Sequence, residues 1–312
     1  MTVALALLLG CGVVGALAPR YLLRLSDPVV ALVAWLVSVL AVMATSAVAM
    51  LLLLLPDHGL GLAVLTAVHD CWQSLQHGTT PGIEAMSGLV GIALLTGLLV
   101  RLAIVGVHSA RRRAAARQEH LAVLRVAGRR EAGAHTTLWL EHDHPFAFSL
   151  AGKPGVVVAT EGLRRHLTPA QVDAVLAHEH AHLDGRHHQL ITIADAVAAT
   201  LPFLPLFKRA AAAIREFVEM AADLTAARAH GVEAVTGALV RVSAHGAPGT
   251  ALAMSGDAVE HRLIQLRKRP HAPGPARRVL TCGLAGATAL VLPGTAAFGA
   301  LFAVMLLTCP SG

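Results

Sequence analysis

The chain is short of charge. Only 14% of its 312 residues are Asp, Glu, Lys or Arg, against about a quarter in an ordinary soluble domain. With 55% hydrophobic residues and a mean hydropathy of +0.63, that shortage excludes a typical water-soluble globule and directs attention to membrane spans. Aromatics are also scarce, at 4%, too few for a base-stacking surface. The net charge of +6 is therefore not taken as a nucleic-acid footprint. The arginines flank apolar stretches, where they set topology, and no direct nucleic-acid binding is expected. The four cysteines form no CxxC and no zinc-finger spacing. Ionisable residues are nearly missing from the apolar runs, with Glu84 and Arg101 near opposite ends of one of them, which argues against a carrier or channel.

Four apolar stretches approach the length of about 20 residues that a span needs: residues 3–18, 28–55, 83–107 and 279–308, the last with Pro293-Gly294 as a kink site. The first ends in Ala16-Leu17-Ala18, a signal-peptide feature. No basic residue precedes it and Pro19 follows it, so it is read as an uncleaved span. "GCGVVG" and "SGLVG" are helix-packing faces. Basic residues alternate between the loops: Arg20 and Arg24, then none from 56 to 81, then Arg111 to Arg117, then Arg267 to Arg278. By the positive-inside rule both termini lie outside and the long segment between spans three and four is cytoplasmic. Residues 1–108 then form a membrane region with three spans, 109–270 a cytoplasmic domain, and 279–308 the fourth span of a multi-pass protein of the cytoplasmic membrane. Cys71 and Cys309 fall on the outer side. A disulfide between them is one reading, unpaired small residues the other.

The cytoplasmic segment has a different texture. Residues 109–131 read as a helix leaving the bilayer. "TTLWLEH" (136–142), "PFAFSL" (145–150) and "GVVVAT" (155–160) read as strands, with turn chemistry between the last two. "PFAFSL" is either an edge strand open to an extended peptide or a core strand. Thr168-Pro169 opens a helix as N-cap and first-turn proline, and that helix ends near Gly185. Residues 246–256 read as a loop and 271–278 as a linker.

Five histidines crowd into "AHEHAHLDGRHH", 177–188. Within it His178-Glu179-His180-Ala181-His182 is an HExxH. On a helix His178 and His182 share one face and are placed to grip one Zn²⁺, with Glu179 beside them as general base. His180 is rotated by about 200° from His178 and is not a candidate ligand. His187 and His188 are read either as supporting or oxyanion-stabilising groups or as a solvated helix start. A catalytic zinc takes a third protein ligand. "REFVEMAAD" offers Glu219, with Asp223 four residues on to orient a ligand histidine, and Glu216 competes. With Tyr21 the only tyrosine and placed at a span, the oxyanion donor is sought among His187, His188, His230 and Arg262.

"LTPAQVDAVLAHEHAHLDGRHH" followed by "EMAAD", with "HPFAFSLAGKPGVVVATEGL" ahead of them, resembles the membrane gluzincins that pair HExxH with ExxxD. These include HtpX-type proteases, CAAX-processing proteases and the BlaR/MecR-type antibiotic-sensing receptors. The resemblance covers about residues 135–265. It implies His178, His182 and Glu219 as ligands of one zinc ion, Glu179 as base and Asp223 as supporting carboxylate. The fold it implies is an α-helical membrane protein with four transmembrane helices and a cytoplasmic, mainly α zincin-like (α+β) metalloprotease domain carrying a small β-sheet. Three spans before the domain and one after match the BlaR/MecR layout, whereas HtpX-like proteins typically place two before it. The sequence given ends at Gly312, so the extracellular penicillin-binding sensor of that group is not expected. The resemblance further implies a protein substrate, with a BlaI/MecI-like repressor as the analogy and membrane-protein quality control as the HtpX-like alternative. A non-proteolytic metal-binding scaffold is the rival of another class. "LITIADAVAATLPFLPLF" (190–207) cannot cross the bilayer once, because Glu219 would then be separated from His178 and His182. It is read as a buried or interface-lying element docking the domain on the lipid bilayer, or as a re-entrant hairpin.

Overall fold

The computed structural model describes residues 2–25, 27–54, 83–131, 136–245, 256–268 and 275–308. Cys71, Cys309, the loop at 56–81 and nearly all of the 246–256 loop lie outside the described residues. The chain divides into two units, Met1–Val107 with Asp195–Ala211 and Val279–Gly312, and His108–Ala194 with Ala212–Arg278.

The first unit is built from apolar helices. Helix α1 spans Thr2–Leu22 and α2 spans Pro28–Leu54. Asp27 caps α2, its Oδ1 accepting from the amides of Val29 and Val30 at 3.0 and 3.3 Å. Among the described residues, four helices contain stretches long and apolar enough to cross a membrane: Ala4–Leu22, Pro28–Leu52, Ile92–Arg112 and Ala276–Gly299. Their bounds depart from the expected ones in ways the backbone explains. Helix α1 runs past Ala18 to Leu22, with Pro19 in its last turns. Helix α3 is assigned from Ile83 to Ala127, over the span expected at 83–107 and most of the helix expected to leave the bilayer at 109–131. It stops at Ala127 because Gly128–Glu131 form a strand instead. Helix α10, Pro275–Thr308, takes in the second half of the expected linker, with Pro275 as its first residue and Pro293 inside it. Gly10 of α1 lies against α10 so closely that a Cβ there would meet Pro293 O and Ala297 N at 2.7 Å.

Residues 190–207 fall on two helices, α6 (His187–Thr200) and α7 (Pro205–His230), separated at Leu201–Leu204 by the two prolines Pro202 and Pro205. Asp195–Ala211 belongs to the first unit and the residues on either side to the second. Arg101 of α3 donates to Ala199 O at 3.0 Å, satisfying one of the orphan carbonyls at the end of α6 and placing a cation there.

The second unit carries a four-stranded sheet in the order β1-β2-β4-β3, with β1 at Gly128–Glu131, β2 at Thr136–Leu140, β3 at Ala147–Leu150 and β4 at Val156–Thr160. Strands β2 and β4 are parallel and the other pairs antiparallel. The apolar run of β4 is buried along its whole length, as expected of an interior strand. Among the described residues, strand β3 stands at the edge of the sheet, as one of the two readings of "PFAFSL" expected. Thr160 ties its approach down: its hydroxyl donates to His144 O at 2.8 Å and accepts from Phe146 N at 3.1 Å. Strand β1 has no apolar alternation. It is held by pairing with β2 and by Arg164, which reaches Glu131 at 2.9 Å and lies 3.6 Å over the Trp139 ring.

Helix α4 (Glu161–His166) follows β4 directly, and α5 (Pro169–Asp184) opens on a complete capping box. Gln171 N donates to the Thr168 hydroxyl and Thr168 N to Gln171 Oε1. Trp139, Ala159, Leu163, Leu167, Val172 and Ala238 form one core, joining the sheet to α4, α5 and α8 (Val232–Ala244). Ala174, Ala226, Val235 and Leu266 form another, joining α5 to α7, α8 and α9 (Gly256–Lys268). Helix α5 is thus wedged between two apolar contacts, which fixes the rotation of its histidine-bearing turns.

Gly162 lies where α4 meets the chain at Asp143. An added Cβ would sit 2.1 Å from Asp143 O, and the Gly162 amide donates to His142 O at 2.9 Å. Gly162→Ala is expected to destabilise the domain by about 1–3 kcal/mol through overpacking, measured as a lower melting temperature of the detergent-solubilised chain. An unchanged melting temperature would mean that this corner yields without cost.

Candidate metal centre

Helix periodicity and two adjacent helices produce the site. On α5, His178 and His182 are one turn apart and their Nε2 atoms are 3.1 Å from each other. Helix α7 delivers Glu219, whose Oε2 is 3.4 Å from His178 Nε2 and whose Oε1 is 3.4 Å from His182 Nε2. Among the described residues, these three form the one group of His, Cys, Asp and Glu side chains arranged to hold a metal ion.

The residues fit zinc. Donors about 2.1 Å from a tetrahedral zinc stand about 3.4 Å apart, close to the 3.1–3.4 Å between the imidazole nitrogens and the nearer oxygen of Glu219 on each side. The donor set, two imidazole nitrogens and a carboxylate oxygen, is also that of a catalytic zinc site. Each imidazole has its Nδ1 engaged at the rear. His178 Nδ1 meets Asp223 Oδ1 at 2.9 Å, and His182 Nδ1 meets His187 Nδ1 at 2.9 Å. With the hydrogens on the Nδ1 atoms, both Nε2 lone pairs converge on the same point, where they suit a bound cation.

The charges follow from this crowding. Burial works against a charged His178, but Asp223 and Glu219 outweigh it and raise its pKa to about 10. His182 is driven the other way, to about 3, by burial and by the charge on His178. Burial opposes ionisation of Glu219, yet His178, His182 and Arg262 hold its pKa down at about 2. Asp223 is likewise held well below the carboxylate range, burial being overcome by Arg262 and His178. Arg262 of α9 grips Asp223 with two hydrogen bonds, Nε to Oδ2 and Nη2 to Oδ1, both 2.6 Å, and lies 3.5 Å from Glu219 Oε2. Such a fork fixes a carboxylate in orientation as well as charge.

Glu179 points to the sheet side of α5. Burial raises its pKa, the charge of His178 lowers it, Glu219 raises it, and hydrogen bonds from the side chain and backbone of Ser149 lower it. Ser149 is buried in edge strand β3, its hydroxyl 3.1 Å from His188 Nε2. This serine was not singled out in the sequence. Its only signal is its place in β3, the strand that packs on the HExxH helix.

The remaining candidates separate cleanly. His187 is 7% exposed, which removes the solvated reading, and it stands behind His182. His188 is the tenth residue after His178, the spacing at which another class of zinc peptidases draws a third histidine ligand. Here it meets Ser149 instead, and Glu219 occupies the third corner. Glu216 is half-exposed and pairs with His261 at 2.7 Å, outside the cluster. His230 is exposed at the end of α7, about 16 Å along the axis from Glu219. Arg262 spends its guanidinium on Asp223, a role that no local pattern announces across 39 positions of sequence.

No solved structure matches the chain. A protein-family profile does, that of peptidase family M48, over residues 110–277. That match takes in both helices of the metal centre, the whole sheet and the Arg262 helix, and it covers more than half of the sequence. The chain belongs to peptidase family M48, a family of metallopeptidases.

Proposed function

We propose that this chain is a zinc-dependent endopeptidase of the cytoplasmic membrane, with His178, His182 and Glu219 as the ligands of one zinc ion and Glu179 as the general base. The observation that carries the reading is the cluster of two imidazole nitrogens 3.1 Å apart with a different oxygen of the Glu219 carboxylate 3.4 Å from each of them, and a partly buried carboxylate on the adjacent residue of the same helix. Bound zinc supplies Lewis acidity, polarising a carbonyl and easing ionisation of water. Glu179 takes the proton of the attacking water as its oxygen bonds to the scissile carbonyl carbon, then passes that proton to the departing amine as the C–N bond breaks. Its raised pKa suits both halves of that exchange. Asp223, clamped by Arg262, holds the His178 ring so that Nε2 faces forward. The outer rim of β3 offers backbone groups to which an extended substrate adds as a further strand. A structural metal site does not need Glu179, which disfavours the scaffold reading.

The layout supports a BlaR/MecR-like reading over an HtpX-like one. Three apolar helices of the described residues precede the zinc-bearing domain and one follows it. On that reading the membrane region is residues 1–108, the peptidase domain 109–270 faces the cytoplasm, and both termini are outside. The substrate is a cytoplasmic or membrane-proximal protein, with a BlaI/MecI-like repressor as the analogue. Quality control of membrane proteins is the alternative.

In reconstituted membranes, Glu179→Gln should retain one zinc per chain and lose cleavage of an unfolded or membrane-proximal protein by about 10²-fold or more. Zinc retained with cleavage at the wild-type rate would show that Glu179 is not the base. Between the two carboxylates of α7, Glu219→Gln should lower zinc affinity steeply while Glu216→Gln leaves it unchanged. Competition with a chromophoric chelator measures both, and the reverse order would reassign the third ligand.

A further inference from the structure

We infer that His187 is a positioning residue for His182, fixing its tautomer and ring orientation, and that Gly185 provides the space the His187 ring occupies. The inference rests on the metal reading above and goes beyond it by assigning a partner to the second histidine of HExxH.

His182 turns Nε2 toward the other donors, 3.1 Å from His178 and 3.4 Å from Glu219. A neutral imidazole that offers Nε2 to a cation carries its hydrogen on Nδ1. That Nδ1 lies 2.9 Å from His187 Nδ1, in a buried contact with the rings nearly perpendicular at 86°. His187 Nδ1 therefore accepts and keeps its own hydrogen on Nε2. The two ligand imidazoles are supported unequally: His178 by a carboxylate that Arg262 clamps, His182 by a second imidazole.

The chain path explains how a residue only five positions along the sequence gets behind its neighbour. Helix α5 ends at Gly185, Arg186 takes a left-handed φ of 50°, and α6 begins at His187. The turn folds the His187 ring back over Gly185. A Cβ at position 185 would stand 2.4 Å from His187 Nε2 and 2.7 Å from its Cδ2. Gly185 itself has φ −74°, a backbone that alanine adopts readily, so the demand for glycine comes from the ring and the neighbouring Ala181 carbonyl, 2.9 Å from that Cβ.

The test uses the full-length protein in detergent, stripped of metal and titrated with zinc against a chromophoric chelator. Cobalt absorption spectra serve as a second readout. His187→Leu, which removes the acceptor, should bind zinc about 10- to 100-fold more weakly and alter the visible cobalt bands. His187→Gln, whose amide oxygen can accept from Nδ1, should recover much of the loss. Gly185→Ala should weaken zinc in the same direction by pushing the ring aside. His178→Ala is the control: if it binds zinc like wild type, the metal reading itself fails. If His178→Ala loses zinc while a folded His187→Leu binds as wild type does, only the His187 assignment is overturned. Should His187→Leu not fold, the other two variants decide. Wild-type affinity and cobalt spectrum in Gly185→Ala, or in His187→Gln no recovery toward wild type, would overturn the inference.

Discussion

Two imidazole nitrogens face each other across 3.1 Å with a carboxylate 3.4 Å from both. With the hydrogens at the rear, toward Asp223 and His187, both front lone pairs are left to face one cation. That convergence is unfavourable without a cation, and the surrounding structure exists to enforce it. The donor set and spacing suit a divalent metal ion, and they are those of a catalytic zinc site.

The rest of the domain holds the three donors against one another. Helix α5 is fixed at its start by the Thr168 capping box and along its length by two apolar contacts, one with the sheet and one with α7, α8 and α9. Helix α7 brings Glu219 and Asp223 on one face, so on the proposed reading a single element supplies both a ligand and the group that orients another. The buried carboxylate of Asp223 and the partly buried one of Glu219 repel, and Arg262 offsets them from α9. Removing that arginine would leave two uncompensated charges in a low-dielectric site, which is far costlier than losing a surface pair.

Much of this was legible from the sequence because it rests on local rules. Thr168-Pro169 and Gly185 bracket the HExxH helix where capping chemistry puts them, and the runs at 136–142, 145–150 and 155–160 each contain a strand. The i, i+4 spacing brought His178 to His182 and Glu219 to Asp223. What escaped depends on tertiary contact. The strand Gly128–Glu131 has no apolar pattern and exists because β2 offers it an edge. The extent of α3 from Ile83 to Ala127 carries no mark at the change from apolar to Arg/Ala-rich sequence. Arg262 and Ser149 reach the site from elements distant in sequence, and nothing near them announces their partners.

The central claim is that one zinc ion sits among His178, His182 and Glu219. X-ray absorption at the zinc edge, on the purified full-length protein, tests it most directly. The account predicts one zinc per chain in a low-coordinate shell of nitrogen and oxygen at about 2.0–2.2 Å, with multiple-scattering features of two imidazoles, one of which disappears in His182→Ala. A sulfur-containing shell, three or more imidazoles, or a spectrum unchanged by His182→Ala would contradict it.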